Sequence, residues 1–424
     1  MKASLKKVRS IYGVTEYMLS NGLRVLYKRD ASAPVVAVCI TYHVGSRNET
    51  PGCTGSTHIL EHLLFKDSKK FNTKNGKSIT GYLEWMGAQV NATTWLDRTN
   101  YFELVAAADV EKALALEADR MRGSLFNDAD LASEMTVVRN EYEQGRNSPY
   151  RLLHEMLLAE AYKVHPYRIP TIGNKEDIES STAKKLREFY DTFYWPNNAT
   201  LTVFGDISPR DLERLVIKYF GSIKKSPHAI PAMTVVEPLQ EKARQVEMSY
   251  PAGVSIAMSM YRIVEATHPD FAALSVLAII LAGGRSSVLQ RAIVDSGIAS
   301  DFEVEMPPLH DAGWLGFTAT IDDVKKTTKV FALIQKSINY IAAHGVSKVE
   351  LKRAQEFILT TSAKARDGVF GDALAVSECI AAGDWTFDYK LEKMVASITS
   401  TDVKRATHYL TKQTNSLGVL KNSL

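Results

Sequence analysis

Short runs of alternating apolar and polar residues fill much of the first half of the chain, and longer stretches with helical spacing separate them. Residues 17–29 (YMLSNGLRVLYKR) alternate around Asn21-Gly22, a dipeptide typical of tight turns, and therefore predict a β-hairpin. Further strands are predicted at residues 35–44, 90–106 and 199–204. Apolar residues spaced three and four apart predict helices over residues 57–65, 109–164 and 209–219.

The second half of the chain repeats this pattern with a displacement of 219 residues. Residues 254–261 (VSIAMSMY) resemble residues 35–42 (VVAVCITY), and 254 − 35 = 219. The same displacement takes Ser181-Thr182 to Ser400-Thr401. A repeat of this length predicts two domains built on one scaffold.

A linker is predicted between the two repeats. Residues 224–238 (KKSPHAIPAMTVVEP) contain three prolines and few periodic apolar positions. We therefore expect an N-terminal domain over residues 1–223, a linker over 224–238 and a C-terminal domain over 239–424.

Composition places the chain among ordinary globular proteins of more than one domain. It has 424 residues, of which 45% are hydrophobic. A chain of this length is too long for a single hydrophobic core. The formal charge of +3 gives no electrostatic reason to expect nucleic acid or an anionic membrane as a partner. The longest apolar run, residues 271–284, is shorter than the ~20 residues that span a bilayer, so we expect a buried helix and no membrane span.

The cysteines and the N-terminus bear on the compartment. Three widely spaced cysteines without a Cys-x-x-Cys pair do not form a disulfide framework, which favours a reducing environment. The first 13 residues, MKASLKKVRSIYG, lack the apolar segment of a secretory signal. We expect a cytoplasmic protein, or a periplasmic or organellar one if a targeting segment has been removed.

The segment 57–65 (THILEHLLF) carries the strongest chemical signal. His58, Glu61 and His62 share one helix face, and the opposite face is apolar. Neutral imidazoles one turn apart can both bind Zn²⁺ at ~2.0–2.1 Å. The order His-x-x-Glu-His reverses the common zinc-protease helix motif and occurs in one class of zinc enzymes. The alternative is a solvated helix face with two incidental histidines.

A catalytic zinc site needs a third protein ligand, and residues 134–143 (EMTVVRNEYE) offer candidates. Glu134 and Glu141 are seven residues apart, which is two turns on one helix face. One carboxylate can bind the metal while the other orients a ligand histidine. Glutamates are also common on exposed helices, so the pair alone is weak evidence.

Together these motifs resemble the pitrilysin-type (M16) zinc metallopeptidases. The resemblance includes residues 87–102 (GAQVNATTWLDRTNYF) and 194–206 (YWPNNATLTVFGD), and the length is similar to that of short members that act as paired subunits. It implies an α+β fold of two homologous α/β sandwich domains, each a mainly antiparallel sheet packed with helices. The first domain is expected to bind one Zn²⁺ per chain, and the second to lack metal ligands: the 219-residue displacement puts Leu277, Ile280 and Leu281 at the positions of His58, Glu61 and His62.

The resemblance also implies roles for the site residues. His58, His62 and Glu141 correspond to the zinc ligands, and Glu61 to the general base that activates the zinc-bound water. Glu134 corresponds to the acid that supports a ligand histidine.

Substrate contacts are implied for two further segments. Asn91, Ala92 and Thr93 correspond to an edge strand that pairs with the substrate backbone, although the same residues also suit an ordinary strand with a polar turn. Phe65 either lines the pocket beside the scissile bond or packs in the core.

One expected feature is missing. Active members usually carry an Arg and a Tyr in the pattern R-x-x-x-G-L-x-Y, and alignment on Gly297-Ile298 places Ile293 and Ser300 at those positions. Since an oxyanion donor contributes ~3–4 kcal/mol to the transition state, the chain is expected to be slow alone. We therefore predict the zinc-bearing subunit of a heterodimer whose paralogous partner supplies the Arg/Tyr pair, with a self-sufficient homodimer as the alternative.

The predicted function is that of a zinc-dependent endopeptidase, a hydrolase that cleaves unfolded peptides and oligopeptides in a chamber formed with the partner subunit. Two alternatives are a non-catalytic structural subunit of a larger complex and a precursor-processing peptidase.

Overall fold

The computed structural model describes residues 3–410 and 415–423, which fold into two compact units. The first unit contains Met1–Tyr142, Pro170–Thr234 and Ala365–Ala381. The second contains Glu143–Ile169, Val235–Lys364 and Ala382–Leu424. Each unit therefore includes a segment from the other half of the chain. The predicted division into 1–223, 224–238 and 239–424 describes the repeat along the sequence. It stays a prediction, because it does not say which segments pack together in each compact unit.

The strands and helices are numbered in chain order. The strands are β1 (Leu5–Ile11), β2 (Val14–Leu19), β3 (Arg24–Arg29), β4 (Val35–Tyr42), β5 (Gln89–Thr94), β6 (Thr99–Ala106), β7 (Ala199–Gly205), β8 (Arg244–Tyr250), β9 (Ser255–Arg262), β10 (Asp301–Glu305), β11 (Trp314–Ile321) and β12 (Asn415–Asn422). The helices are α1 (Ser56–Leu63), α2 (Ile79–Trp85), α3 (Val110–Gly123), α4 (Asp128–Arg146), α5 (Pro149–Ala161), α6 (Lys175–Glu179), α7 (Ala183–Phe193), α8 (Pro209–Phe220), α9 (Phe271–Ala282), α10 (Thr327–His344), α11 (Lys348–Ala365), α12 (Gly368–Ala381), α13 (Phe387–Ser397) and α14 (Ser400–Ala406).

The first unit is built on a seven-stranded sheet in the order β1-β2-β3-β7-β4-β6-β5. Its strand pairs are antiparallel except for β3 and β7, which run parallel. The predicted hairpin is confirmed as β2 and β3, and Gly22 in its turn has a φ of +91°, which glycine adopts without strain. Within the described residues β5 pairs with β6 alone, so it is an edge strand.

Helices cover both faces of this sheet. On one face, alternate residues of β4 (Val36, Val38 and Ile40) share an apolar core with Ile59 and Leu60 of α1. The apolar side of α1 is therefore buried, as its pattern predicts. Helix α12 packs on β4 and β7, and the side chains of Phe102 in β6 and Phe370 in α12 are in edge contact.

The second unit is built on a five-stranded sheet in the order β10-β11-β9-β12-β8, in which β12 and β8 run parallel. This order repeats the order β5-β6-β4-β7-β3 of the first sheet, which confirms a shared α+β scaffold of two mainly antiparallel sheets packed with helices. Helix α9 is the counterpart of α1, and Leu277, Ile280 and Leu281 on it are fully buried. The described residues include no counterpart of the β1–β2 hairpin in this sheet; its displaced positions, 224–238, form no helix or strand.

Two equivalent helices are exchanged between the repeats. Helix α5 begins at Pro149, and 149 + 219 = 368, the first residue of α12. Helix α5 packs on β8, β9 and β12, whereas α12 belongs to the first unit. In the described part of the chain, no helix combines the length and apolar character needed to cross a membrane.

Candidate metal centre

Helix α1 begins at a tightly held glycine. Gly55 precedes its first turn with a φ of +83°, and a Cβ there would lie 2.5 Å from the carbonyl oxygen of Ile172. No side chain caps the helix at Gly55; instead the Glu49 carboxylate accepts hydrogen bonds from the backbone N–H groups of Gly55 (2.8 Å) and Thr57 (2.7 Å). A carboxylate at this position satisfies helix N–H groups that otherwise have no partner.

Glu49 is itself buried, and this affects its protonation. Burial raises the pKa of the Glu49 carboxyl to about 7, although the hydrogen bonds from Thr57 and Gly55 act in the opposite direction. The nearby Asp177 carboxylate adds to the rise. A group that titrates near neutral pH therefore holds the start of α1.

The polar side of α1 presents three potential metal ligands together. The imidazole rings of His58 and His62 have centroids 4.8 Å apart and are nearly perpendicular. One ligand atom from each of His58, Glu61 and His62 lies within 4.8 Å of the others. The i, i+3, i+4 spacing thus produces the shared face that the sequence predicts.

Helix α4 supplies the third ligand of the predicted set. The Glu141 Oε2 atom lies 3.3 Å from His58 Nε2 and 3.6 Å from His62 Nε2. Two ligand atoms at about 2.1 Å from a zinc ion, in tetrahedral geometry, are about 3.4 Å apart. The two histidines and Glu141 therefore fit a single zinc ion, and their two-nitrogen, one-oxygen donor set is a common one for catalytic zinc.

Glu134, two turns before Glu141, lies beside a histidine of the predicted ligand set. Its Oε2 atom lies 3.2 Å from His62 Nδ1, and its Oε1 atom lies 2.6 Å from Lys66 Nζ. A carboxylate at Nδ1 favours the tautomer with the proton on that nitrogen, which leaves Nε2 to face Glu141 and a metal. Lys66 in turn compensates the charge of the largely buried Glu134.

Glu61 lies beside the predicted zinc ligands His58, His62 and Glu141. Its Oε2 atom is 4.0 Å from His62 Nε2, and its side chain is 13% exposed. Burial raises the pKa of the Glu61 carboxyl, while His62 lowers it; the Glu141 carboxylate raises it further. The guanidinium groups of Arg120 and Arg98 also lower this pKa. A carboxylate poised in this way suits a group that accepts and returns a proton.

The predicted substrate-contact residues lie close by. Helix α1 packs beside β5, on which Asn91 and Thr93 are exposed and Ala92 is buried. Phe65 is half-buried, with its ring 5.9 Å from the Tyr101 ring and 4.9 Å from the Arg120 guanidinium carbon. Phe65 therefore has a packing role, and contact of these four residues with substrate stays a prediction.

Four contributors were not predicted from the sequence: Glu49, Lys66, Arg98 and Arg120. Lys66 follows His62 by four residues, a helical spacing that carried a signal, although α1 ends at Leu63 and Lys66 lies just after it. Glu49 and Arg98 lie in loops, where no periodicity marks a functional side chain.

The positions aligned with the missing Arg/Tyr pair are in the second unit. Ile293 is fully buried in a short π-helical turn, Gln290–Val294. Ser300 is exposed and donates its hydroxyl to the Thr320 carbonyl at 3.2 Å. Neither side chain is of the kind that stabilises an oxyanion in the manner of arginine and tyrosine.

The chain is similar to known zinc proteases over most of its length. Residues 24–175 match the family model described as Insulinase (Peptidase family M16), and residues 180–358 match the one described as Peptidase M16 inactive domain. The zinc protease PqqE of Helicobacter pylori is 31% identical over 392 residues, which cover 89% of this chain and 87% of that protein. A probable mitochondrial-processing peptidase subunit beta of Schizosaccharomyces pombe is 31% identical over 208 residues, 49% of this chain and 45% of that protein.

Solved structures agree with the sequence matches. The crystal structure of a protease from Helicobacter pylori has a TM-score of 0.89 and 26% identity, and the alignment covers 96% of this chain and 98% of that one. An M16-like peptidase from Alicyclobacillus acidocaldarius, at 18% identity and a TM-score of 0.82, shares the fold over 98% of this chain and 99% of its own. With its two family-model matches and a zinc-protease relative that is similar over 89% of its length, the chain belongs to peptidase family M16.

Proposed function

We propose that this chain is a zinc-dependent endopeptidase that cleaves unfolded peptides, with one Zn²⁺ held by His58, His62 and Glu141. The proposal rests on one observation above all: the Nε2 atoms of both histidines converge on the same Glu141 oxygen, at 3.3 and 3.6 Å. A zinc ion with three protein ligands keeps a fourth position for water, as a hydrolytic site requires.

The protein side chains divide the remaining work. When bound, zinc polarises a carbonyl and makes a water molecule more acidic. The Glu61 carboxylate accepts the proton of the attacking water as the new C–O bond forms, and passes it to the peptide nitrogen as the C–N bond breaks. Glu134 keeps His62 in one tautomer and orientation throughout, and its contact with Lys66 holds the Glu134 carboxylate in place.

The position of β5 supports an extended peptide as the substrate. An edge strand presents unpaired backbone N–H and C=O groups that bind a peptide as an additional strand. Its neighbour α1 carries Glu61 and both histidines, so a peptide added at Asn91, Ala92 and Thr93 would run beside the metal centre. A folded protein rarely offers such a segment, which favours unfolded peptides.

A second chain is part of the proposal. Ile293 and Ser300 stand where an arginine and a tyrosine would bind the substrate and the oxyanion. We propose that a paralogous subunit supplies that pair and closes a chamber with this chain; a second copy of this chain is the alternative. Relatives such as the processing peptidase subunit beta are named as subunits, which is consistent with a paired assembly.

Two other functions are less well supported. A non-catalytic structural subunit has no need for the four residues His58, Glu61, His62 and Glu141, all of which are present and close together. A precursor-processing peptidase would use the same chemistry on a narrower substrate, and partial matches to processing peptidase subunits support it.

The test compares two glutamates on the same helix. Glu141→Gln is expected to lose bound zinc and the cleavage of a quenched fluorescent peptide, whereas Glu143→Gln, at an exposed position two residues on, should keep both. Assays are made with the chain alone and with a candidate partner subunit, and zinc is measured by mass spectrometry on the same samples. Equal cleavage by both variants, or cleavage that survives removal of zinc by a chelator, would refute the proposal.

A further inference from the structure

Arg98 lies in the loop that joins the edge strand β5 to β6, and it is bonded to β5 itself. Its Nη1 atom donates to the carbonyl oxygen of Thr93 at 3.0 Å and to the Thr93 hydroxyl at 2.9 Å. Its side chain is 9% exposed, so these bonds are shielded from water. The guanidinium therefore fixes the C-terminal end of β5, the strand to which a peptide would be added.

These bonds do not occupy the open edge. Trp95 N donates to Arg98 O across the turn, and in an antiparallel pair hydrogen-bonded and non-hydrogen-bonded positions alternate. With the unbroken register of β5 and β6, this directs the peptide groups of Thr93 toward β6 and those of Ala92 and Thr94 toward the edge. Arg98 thus uses the second lone pair of a carbonyl that already faces the sheet.

The other side of the guanidinium is held by helix α12. Arg98 Nε and Nη2 donate to the two Glu378 carboxylate oxygens, at 3.2 and 2.5 Å. This two-point contact fixes the orientation of the planar group as well as its position. Four bonds in two directions, to Thr93 and to Glu378, make Arg98 a bridge from α12 to β5.

The loop beneath Arg98 is fixed independently. Ser46 N and Arg47 N donate to the carbonyl oxygens of Trp95 and Leu96, at 3.1 and 2.9 Å. A Cβ on Gly45 would lie 2.3 Å from both carbonyl oxygens, so the approach of this segment requires glycine. The backbone of Arg98 is anchored here, and Glu378 determines where its side chain points.

From this geometry we propose that Arg98 is a positioning residue for peptide binding: it holds the end of β5 in the shape that accepts a substrate strand, and Glu378 of α12 holds Arg98. The proposal rests on the proposed peptidase function and adds a residue to it. The competing explanation is that Arg98 only attaches α12 to the sheet. The Lys28–Asp372 ion pair (2.7 Å) provides the comparison, since it joins α12 to β3, away from the edge strand.

The experiment measures kcat and KM for a quenched peptide with the full chain and the partner required for activity. Arg98→Gln is expected to raise KM about tenfold, because charge-assisted bonds at a buried site are lost. Arg98→Lys should behave like Arg98→Gln, since an ammonium group cannot make the forked contact. Glu378→Gln should raise KM about threefold, and the double variant no more than Arg98→Gln alone.

Lys28→Gln is the matched control. It removes an ion pair that holds α12 against the sheet. A lower melting temperature is consistent with the proposal, but KM should stay unchanged. The proposal is overturned if Arg98→Gln leaves KM within twofold of wild type, if Lys28→Gln raises KM equally, or if Arg98→Lys restores wild-type KM and so shows that charge alone is sufficient.

A binding measurement separates this proposal from the peptidase proposal. In a Glu61→Gln background, which should not turn over substrate, the Kd of a fluorescent peptide is measured by anisotropy with and without Arg98→Gln. A weaker Kd with Arg98→Gln supports positioning, and an unchanged Kd refutes it. Failure of the wild-type enzyme to cleave any peptide would instead refute the proposed function.

Discussion

The buried Glu49 carboxylate should make the stability of the protein depend on pH in an unusual direction. Its pKa is raised from 4.5 to about 7 in the folded protein, chiefly by burial. Between these two pH values the folded protein holds a proton on Glu49 that the unfolded chain has released. The stability contributed by this proton is complete below pH 4.5 and is lost as the pH rises through 7.

The size of the effect follows from the two pKa values. A pKa difference between 4.5 and about 7, at about 1.36 kcal/mol per pH unit, corresponds to about 3.4 kcal/mol in total. Linkage places about 2.5 kcal/mol of this between pH 5 and pH 8. Glu49→Gln removes the titration, and its amide oxygen can still accept one of the two hydrogen bonds from Gly55 and Thr57. The remaining loss of a bond is independent of pH.

The assay is urea denaturation of wild type and Glu49→Gln at pH 5 and pH 8, with a chelator present so that metal binding does not contribute. From pH 5 to pH 8, the free energy of unfolding of wild type should fall by about 2.5 kcal/mol relative to that of Glu49→Gln. Asp30→Asn is the control, because hydrogen bonds from Ser32 lower the pKa of Asp30 below 3.8 and its contribution to stability is therefore constant between pH 5 and pH 8. A wild-type advantage over Glu49→Gln that stays constant or grows toward pH 8 would refute the reasoning.

Three further changes test other parts of the structure. Glu134→Gln should weaken zinc binding about 10–100-fold in a chelator competition, because His62 Nδ1 loses its carboxylate; unchanged affinity would contradict the role given to Glu134. Leu281→Ala, at the α9 position that corresponds to His62, should lower the free energy of unfolding by about 2–5 kcal/mol in urea and leave zinc content unchanged, since Leu281 is fully buried; a zinc loss would show that the second repeat takes part in metal binding. Peptide cleavage by this chain should rise at least tenfold when a paralogue with the Arg/Tyr pair is added, as the ~3–4 kcal/mol value of an oxyanion donor allows; equal rates with and without the paralogue would refute the heterodimer.

Much of the scaffold could be predicted because local pattern and burial agree. The hairpin at Asn21-Gly22 and the apolar side of α1 follow from turn chemistry and helical spacing alone. The repeat added a test of its own: the displaced positions Leu277 and Leu281 are apolar, and both are buried in α9. A helix buried on all sides cannot hold a hydrated metal centre, so a metal site is expected on α1 and not on α9.

The exchange of α5 and α12 could not be predicted in this way. Apolar spacing shows that a helix has a buried side, but it does not specify which sheet covers that side. A constant displacement of 219 residues also does not hold near the C-terminus. It matched Thr182, which caps α7, with Thr401, whereas the cap of α14 is Thr399, in a reciprocal capping box with Asp402.

The grouping of the predicted zinc ligands could be predicted from the sequence, whereas most of the residues around them could not. His58, His62, Glu134 and Glu141 lie on regular helices, where spacing reveals a common face. Glu49 and Arg98 act from loops across distances that only the tertiary structure determines. Charges that hold a site in place are therefore harder to find from the sequence than the charges that form it.

The most direct test of the central claim is zinc content and peptide cleavage measured in the same preparation of Glu61→Gln. Glu61 lies beside the predicted zinc ligands but is not one of them, so this variant should keep about one zinc per chain and lose cleavage by at least about a hundredfold, the lower range of general acid–base contributions. Full zinc content with wild-type cleavage would contradict the assignment of Glu61 as the base, and loss of zinc would show that Glu61 is a ligand.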